Sequence, residues 1–567
     1  MKFCGRLIEK GHQRQAELDV MTSTVPAPDS EASTEADVVV LGSGAAALAS
    51  ALTVAVAGLR VIILEKTEWI GGTSAMSGGM TWAPANPVAA AAGLKDSPEE
   101  ALAYMRAAAP PGWRETEDRL WETQVRNAGP MIEFLLKHSP VRFTIANVPD
   151  PMMELEGAKP LGRLLSLAPI SKRGLGKYAG KIRPSTLPQT LTYAESVSSN
   201  LYRQPIRATL RHAGTFLRRW PTRTVGKGNA LVTGLLQGCL DHGCRIELET
   251  RATELVLDQT GAVRGVVAEH RGGRRTYTAQ RGVIMATGGF EWDAQMLAKY
   301  FPAEIDYRSS PRTNEGDGHK MASAAGAALA HMDQANIMVQ PPVIYDGHLH
   351  GLPLRIHAEP DSIIVDESGR RFASEYEFAM GEKLMDLDPA TGKPRHLPAW
   401  IISHWPMVKR TPLIRWYRHY DKSWLTMART PRALAAKTGL PADALVETVE
   451  RFNGFARSGE DLDFNRGGSD YEAKLGKALG LMTPIDRAPF VAIRCKPSIL
   501  GTKGGVRTNE KGQALRPDGS VIGGLYCAGN VMANPVGTRT PSQVGTTLGP
   551  YMTWGFICGN AIARDNR

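Results

Sequence analysis

The chain has 567 residues, 43% of them hydrophobic, and a formal net charge of +10. Such a length accommodates about two to four domains with well-filled cores and excludes a disordered chain. No apolar run reaches the ~18 residues of a membrane-spanning helix, and the basic balance comes without any nucleic-acid-binding motif, so nucleic acid is not an expected partner.

Residues 1–35 are polar and rich in Ser, Thr, Pro and Glu, and they read as a flexible tail. They lack the apolar core of a signal peptide and a twin arginine, and the start of the polypeptide is open between Met1 and Met21. The six cysteines, Cys4, Cys239, Cys244, Cys495, Cys527 and Cys558, show no CxxC pair and no metal-ligand spacing. A reduced, cytoplasmic setting without a metal centre is expected.

The most informative stretch is DVVVLGSGAAALASALTVAVAGLRVIILEK, residues 37–66. An apolar strand stops at Gly42-Ser43-Gly44, a small-residue helix begins at Ala45 and Ala46, and a second apolar strand ends in Glu65-Lys66. Gly42 permits a tight turn, Gly44 admits a pyrophosphate, and Ala47 holds the third small position. The helix N-terminus offers unpaired N–H groups to an anion, and Glu65 has the spacing of a carboxylate that binds ribose hydroxyls. A dinucleotide site is expected here.

The next segments favour a flavin over a nicotinamide. TEWIGGTSAMSGG, residues 67–79, can run beside an extended cofactor and supply donors from Gly72, Thr73, Ser74, Ser77, Gly78 and Gly79. Residues 244–289 alternate as an antiparallel meander that ends in Ala286-Thr287-Gly288. Near the C-terminus GLYCAGN ends in Gly529-Asn530, and Gly545-Thr546-Thr547-Leu548 precedes a final helix whose N–H groups would face a flavin. Residues 201–223, LYRQPIRATLRHAGTFLRRWPTR, carry six arginines among apolar residues. Two readings stay open for them, a weak peripheral contact with an anionic membrane surface and a solvated helix face.

GSGAAAL, EKTEWIGGTSAMSGG, ATGGF, NEGDG, IIVDESGRRFASE, GTKGGVRTN and GLYCAGN resemble the fumarate reductase/succinate dehydrogenase flavoprotein superfamily. Within it, residues 77–105 and 537–555 are similar to those of 3-ketosteroid dehydrogenases. The resemblance implies an α/β fold with a Rossmann-like FAD-binding domain, residues 36–293 and 486–567, interrupted by a smaller α+β capping domain, residues 294–485. It implies that Ala252 touches the adenine side of FAD. The loop at 71–79 has no histidine, so the FAD is expected to be non-covalent.

The resemblance implies an FAD-dependent dehydrogenase acting on a small apolar cyclic ketone, with hydride passing to the flavin; the electron acceptor is left open. A reductase of an activated C=C bond and a flavin-retaining binding protein remain alternatives. The tyrosines implied for acid–base work are missing at Val491 and from the stretches 143–160 and 331–342. Tyr345 and His357, in and beside a His-rich loop, and Arg539, in the C-terminal loop, are the expected catalytic substitutes.

Overall fold

The computed structural model describes residues 33–199, 201, 204–378, 380–535 and 547–565. Arg539, Gly545 and Thr546 lie outside the described residues. The chain divides into two compact units, residues 1–35 and 36–567; of the first, the described part is residues 33–35.

An eight-stranded sheet organises the second unit. Its strands in chain order are β1 (Glu35–Leu41), β2 (Val61–Leu64), β3 (Arg245–Glu247), β4 (Thr250–Leu257), β5 (Val263–His270), β6 (Gly273–Met285), β7 (Gln513–Leu515) and β8 (Val521–Cys527). They lie in the order β7-β8-β6-β1-β2-β3, with β5 paired to β6 and β4. β1 and β2 are parallel in the register Val38↔Val61 to Leu41↔Leu64, and β6 and β8 are parallel from Val283↔Leu525 to Met285↔Cys527. The centre of β1 and all of β2 are buried, as expected for Val/Ile/Leu strands of a parallel sheet covered on both faces. The meander β4-β5-β6 is antiparallel, and its strands alternate burial where one face meets solvent.

Four helices bear on the site: α1 (Ala45–Val56), α2 (Gly72–Met76), α3 (Lys227–Asp241) and α4 (Leu548–Arg564). α1 is almost wholly Ala, Val and Leu, with Ser50 and Thr53 bonding back to the Ala47 and Ala49 carbonyls. Its small side chains let α4 pack closely: a methyl on Gly555 would lie on the Ala46 carbonyl, and one on Gly559 would strike Thr53.

A second, four-stranded antiparallel sheet runs Ile363–Val365, Ala399–His404, Phe490–Cys495, Leu425–Ala428. Residues just beyond 485 therefore still hydrogen-bond within this sheet. Beside it, Arg371 pairs with Glu375 and Asp461, and Arg466 pairs with Glu375, all buried. Paired in this way, the charges avoid the several kcal/mol that an isolated buried ion costs.

Gly42 fixes how the turn after β1 meets the rest of the sheet. Its φ is +99°, and a Cβ there would sit 2.5 Å from the Ala286 carbonyl oxygen. Gly42→Ala is expected to cost at least about 1 kcal/mol from the backbone conformation alone, and more from the clash. Denaturant unfolding measures it; a variant as stable as the parent would contradict this geometry.

Candidate functional site

One long cavity of about 810 Å³ runs from the β1–α1 turn to the segment 336–355. At its polar end the glycine turns interlock. Ser43 Oγ donates to Glu65 Oε2 at 2.5 Å and accepts the Gly71 N–H at 2.9 Å. Ala45 N–H donates to Ser74 Oγ at 3.0 Å, tying the α1 N-terminus to α2. Thr67 donates to Glu65 Oε1 through both N–H and hydroxyl, at 3.0 and 2.9 Å. Glu65 is thus held rigidly at the rim. Lys66 Nζ lies 2.9 Å from Asp317 Oδ2, and Arg251 lies 2.8 Å from Asp317 Oδ1. Both cations hold the Asp317 carboxyl below its ordinary range against the opposing effect of burial.

Several lining groups still need a partner. Thr287 Oγ1, Asn336 Oδ1 and Asn530 Oδ1 are buried with no hydrogen-bond partner among the described residues. Native interiors rarely leave such atoms unmade, so a ligand rich in donors and acceptors fits this groove. The glycine turns, the dipole end of α1 and Glu65 match the phosphates and a ribose of a dinucleotide.

The other end is apolar, with Leu187, Leu201, Met338 and Leu354 among its walls. Three polar side chains reach it that no sequence motif announced. Tyr193 opens the helix Tyr193–Ser198 under a capping box made by Thr192 and Glu195, and its ring would lie 3.7 Å from a methyl on Gly78. Burial raises its pKa, with Arg355 pulling the other way. Lys227 starts α3 with φ +52° and is 3% exposed; its Nζ donates to the Pro188 carbonyl at 2.8 Å. Burial lowers its pKa to about 8. Arg355 is the third. The flanking Gly226 and Gly228 were the one available signal for Lys227: a methyl on either would strike neighbouring backbone.

The described residues expected to bind cofactor all line the cavity except Gly79. Gly79, at φ +77°, packs behind the lining: a Cβ there would lie 2.6 Å from the Lys227 carbonyl carbon. Two residues expected to be catalytic lie off the cavity lining. Tyr345 does not line the cavity; it ends the strand Pro342–Tyr345 and donates its hydroxyl to the Pro184 carbonyl at 3.1 Å. His357 does not line it either, and burial drives its pKa down to about 3, so its imidazole is a neutral core group. Asp317, at the start of the helix Asp317–Ala324, places its carboxylate on Lys66 and Arg251.

The family model described as FAD binding domain matches residues 37–543. The chain is 35% identical over 563 residues to a 3-oxosteroid 1-dehydrogenase of Mycolicibacterium smegmatis, covering 93% of this chain and 97% of that one. It is 35% identical over 556 residues to a 4-oxocyclohexanecarboxylate 2-dehydrogenase of Sinomonas cyclohexanicum, covering 93% and 92%. Among solved structures it is similar to a 3-ketosteroid delta1-dehydrogenase from Sterolibacterium denitrificans in complex with 1,4-androstadiene-3,17-dione. The TM-score is 0.84 at 29% identity, over 94% of this chain and 100% of that one.

The position of His357 carries a pH consequence. An unfolded histidine binds its proton near pH 6.5, whereas the folded site resists protonation down to about 3. The unfolded chain therefore holds more protons across that window, and stability present above pH 6.5 is lost as the pH falls toward 3. His357→Leu is expected to move the midpoint of acid unfolding to lower pH. An unchanged midpoint would show that the imidazole is not held neutral.

Proposed function

Because this chain belongs to the family described as FAD binding domain, we propose that it desaturates an apolar ring ketone, introducing a C=C bond beside the carbonyl of a 3-oxosteroid or a smaller ring of the same kind. The chain is an FAD-dependent oxidoreductase acting on carbon–carbon bonds. The observation that supports the substrate reading best is the continuity of one cavity from the glycine turns to an apolar wall. A cofactor ring and a hydrophobic ring ketone then share one dry space.

Bound FAD would supply the hydride-accepting ring. In this reading the turn Gly42–Ala46 and the α1 N-terminus hold its phosphates, Glu65 a ribose, and Ala252 the adenine side. Ser77, Gly78, Thr547 and Leu548 border its ring. The loop 71–79 has no histidine, and the attachment is non-covalent. In this reading 294–485 caps a cofactor domain formed by 36–293 and 486–567, with the strand Phe490–Cys495 of the returning segment completing the cap's sheet.

The acid–base pair of the reading is Tyr193 and Lys227. Burial keeps the Tyr193 phenol protonated, which suits it to donate a hydrogen bond to the ketone oxygen as charge builds there. A lysine with a pKa of about 8 holds a useful neutral fraction at mildly alkaline pH, and its Nζ can take the proton from the carbon beside the carbonyl.

Substrate delivery is the second element. The helices Pro205–Arg211 and Ala213–Arg219 leave Ile206, Leu210, Leu217 and Trp220 at 71, 72, 77 and 85% exposure. Arg207, Arg211, Arg218 and Arg223 are exposed among them, while Arg219 is buried on Glu195 at 2.7 Å. Single exposed apolar residues are ordinary, but four this exposed in one basic segment fit an anionic bilayer surface. Leu201, at the start of the same segment, lines the cavity, so a lipophilic ketone leaving a bilayer enters beside it. No helix among the described residues is long and apolar enough to cross a membrane.

Anaerobic mixing of the FAD-loaded protein with saturated ring ketones tests the reaction: the flavin absorbance is expected to bleach as the enone forms. Turnover confined to enone reduction would contradict the direction proposed. Tyr193→Phe is expected to lower kcat about a hundredfold. Lys227→Met is expected to remove the limb of the kcat/KM profile that rises with pH through about 8; an unaltered limb would clear Lys227. Co-sedimentation with vesicles containing an anionic phospholipid checks the docking surface. Leu217→Ser with Trp220→Ser is expected to weaken binding about tenfold or more, and equal binding by both proteins would contradict it.

A further inference from the structure

We infer that Arg355 anchors an anionic group, a carboxylate, carried by the ring ketone at the end remote from its carbonyl. This rests on the ring-ketone reading above and narrows it to one substrate class.

Two buried arginines in this half of the chain, Arg371 and Arg466, are matched to carboxylates, and so is the partly exposed Arg410. Arg371 and Arg466 share Glu375, Arg371 also meets Asp461, and Arg410 meets Glu359 and Asp361. Arg355, half-buried, departs from that pattern; Arg308 also bonds only neutral groups among the described residues, its partners being backbone carbonyls, but does not line the cavity, whereas Arg355 does. Its Nη1 donates to the Tyr471 hydroxyl at 2.7 Å, and its Nη2 donates to the carbonyls of Tyr376 and Glu377 at 3.3 and 3.0 Å. The Phe378 ring lies 6.0 Å from the guanidinium carbon. All of these partners are neutral, and Arg355 forms no ion pair among the described residues. Glu377 turns its backbone oxygen, not its carboxylate, to the guanidinium. The three bonds fix the orientation of the group and leave part of its donor set for a ligand.

Two other lining cations, Arg183 and Lys227, also face no carboxylate, yet their places differ. Arg183 donates to Thr67, which is bound to Glu65, at the polar end. Lys227 lies against Gly79. Arg355 has its partners at residues 376–378 and 471, none of them in the glycine turns, and it follows Pro353 and Leu354 of the apolar lining. Tyr193 stands between: its ring adjoins Gly78 and its phenol feels the Arg355 charge. A substrate whose ketone meets Tyr193 therefore presents its far end to Arg355.

A guanidinium partly withdrawn from water and held by neutral acceptors keeps its charge uncompensated, and a ligand carboxylate supplies charge-assisted hydrogen bonds to it. A neutral carbonyl or hydroxyl would accept one bond but leave the charge uncompensated.

The test uses the FAD-loaded full chain under anaerobic conditions and reads dissociation constants from perturbation of the flavin spectrum. The probes are 4-oxocyclohexanecarboxylate, a 3-oxosteroid bearing a 17-carboxylate, and the methyl ester of each. In the parent protein at least one acid is expected to bind roughly tenfold to a hundredfold more tightly than its ester, the range for a hydrogen bond to a charged group. Arg355→Gln is expected to bring that acid down to the affinity of its ester, and Arg355→Lys to restore part of the difference. Equal affinities of acid and ester in the parent protein would overturn the inference, as would a preference that survives in Arg355→Gln. The parent ratio decides the matter even if a variant fails to fold. Esters that perturb and bleach the flavin while acids gain nothing would sink the anchor alone; a flavin indifferent to every ketone would sink the ring-ketone reading.

Discussion

The site depends on one close approach, the α-carbon of Gly42 against the carbonyl of Ala286. There the end of β1 meets the end of β6, with the Ala286 N–H donating to the Leu41 carbonyl at 2.9 Å. The Ala528 N–H donates to the Met285 carbonyl at the same distance. Three segments far apart in the chain are thereby brought to the same edge of one sheet, where their small residues leave a groove. No side chain at Gly42 is compatible with that meeting, so the groove exists because a methyl group does not.

Much of the polar end was legible in the sequence for this reason. Tight backbone approaches demand glycine or alanine at fixed places, and these survive as readable patterns in 42–46, 72–78, 286–288 and 529–530. The meander was legible too, since β4, β5 and β6 alternate apolar and polar residues. The apolar end was not. Tyr193, Lys227 and Arg355 line the cavity because of where they point, and no spacing rule records the direction of a single side chain. Tyr345 and His357 illustrate the same limit from the other side. Their residue types suit proton transfer, yet the turn between the strands Pro342–Tyr345 and His348–Gly351 sends the phenol to Pro184, and the packing around 357 seals the imidazole in the core. Asp317 stands at a helix start, where a local pattern suggests a cap, but the Lys66 and Arg251 that claim its carboxylate come from other segments and leave no local trace.

Burial sets the chemistry on both sides of the cavity. Away from it, Arg371, Glu375, Asp461 and Arg466 are removed from water as one matched group. Along the cavity the same desolvation acts on groups lacking a protein counterion. It raises the Tyr193 pKa, lowers that of Lys227 to about 8 and holds His319, beside the wall, at about 4. A phenol that keeps its proton and an amine that can lose one thus line the same cavity. Tyr193 and Lys227 lie outside the stretches where the tyrosines implied by the family resemblance are missing, and Leu201, which lines the cavity, opens the segment that carries the exposed apolar and basic surface at 206–223.

What fills the groove between the glycine turns and the apolar wall decides the chemistry. The most direct measurement is the absorbance spectrum of the purified protein before and after heat denaturation, with the released cofactor identified in the supernatant. A flavin spectrum, followed by release of FAD in an amount equal to the chain, is the predicted result. A colourless protein, or one that releases a nicotinamide dinucleotide in place of FAD, would contradict the account at its root.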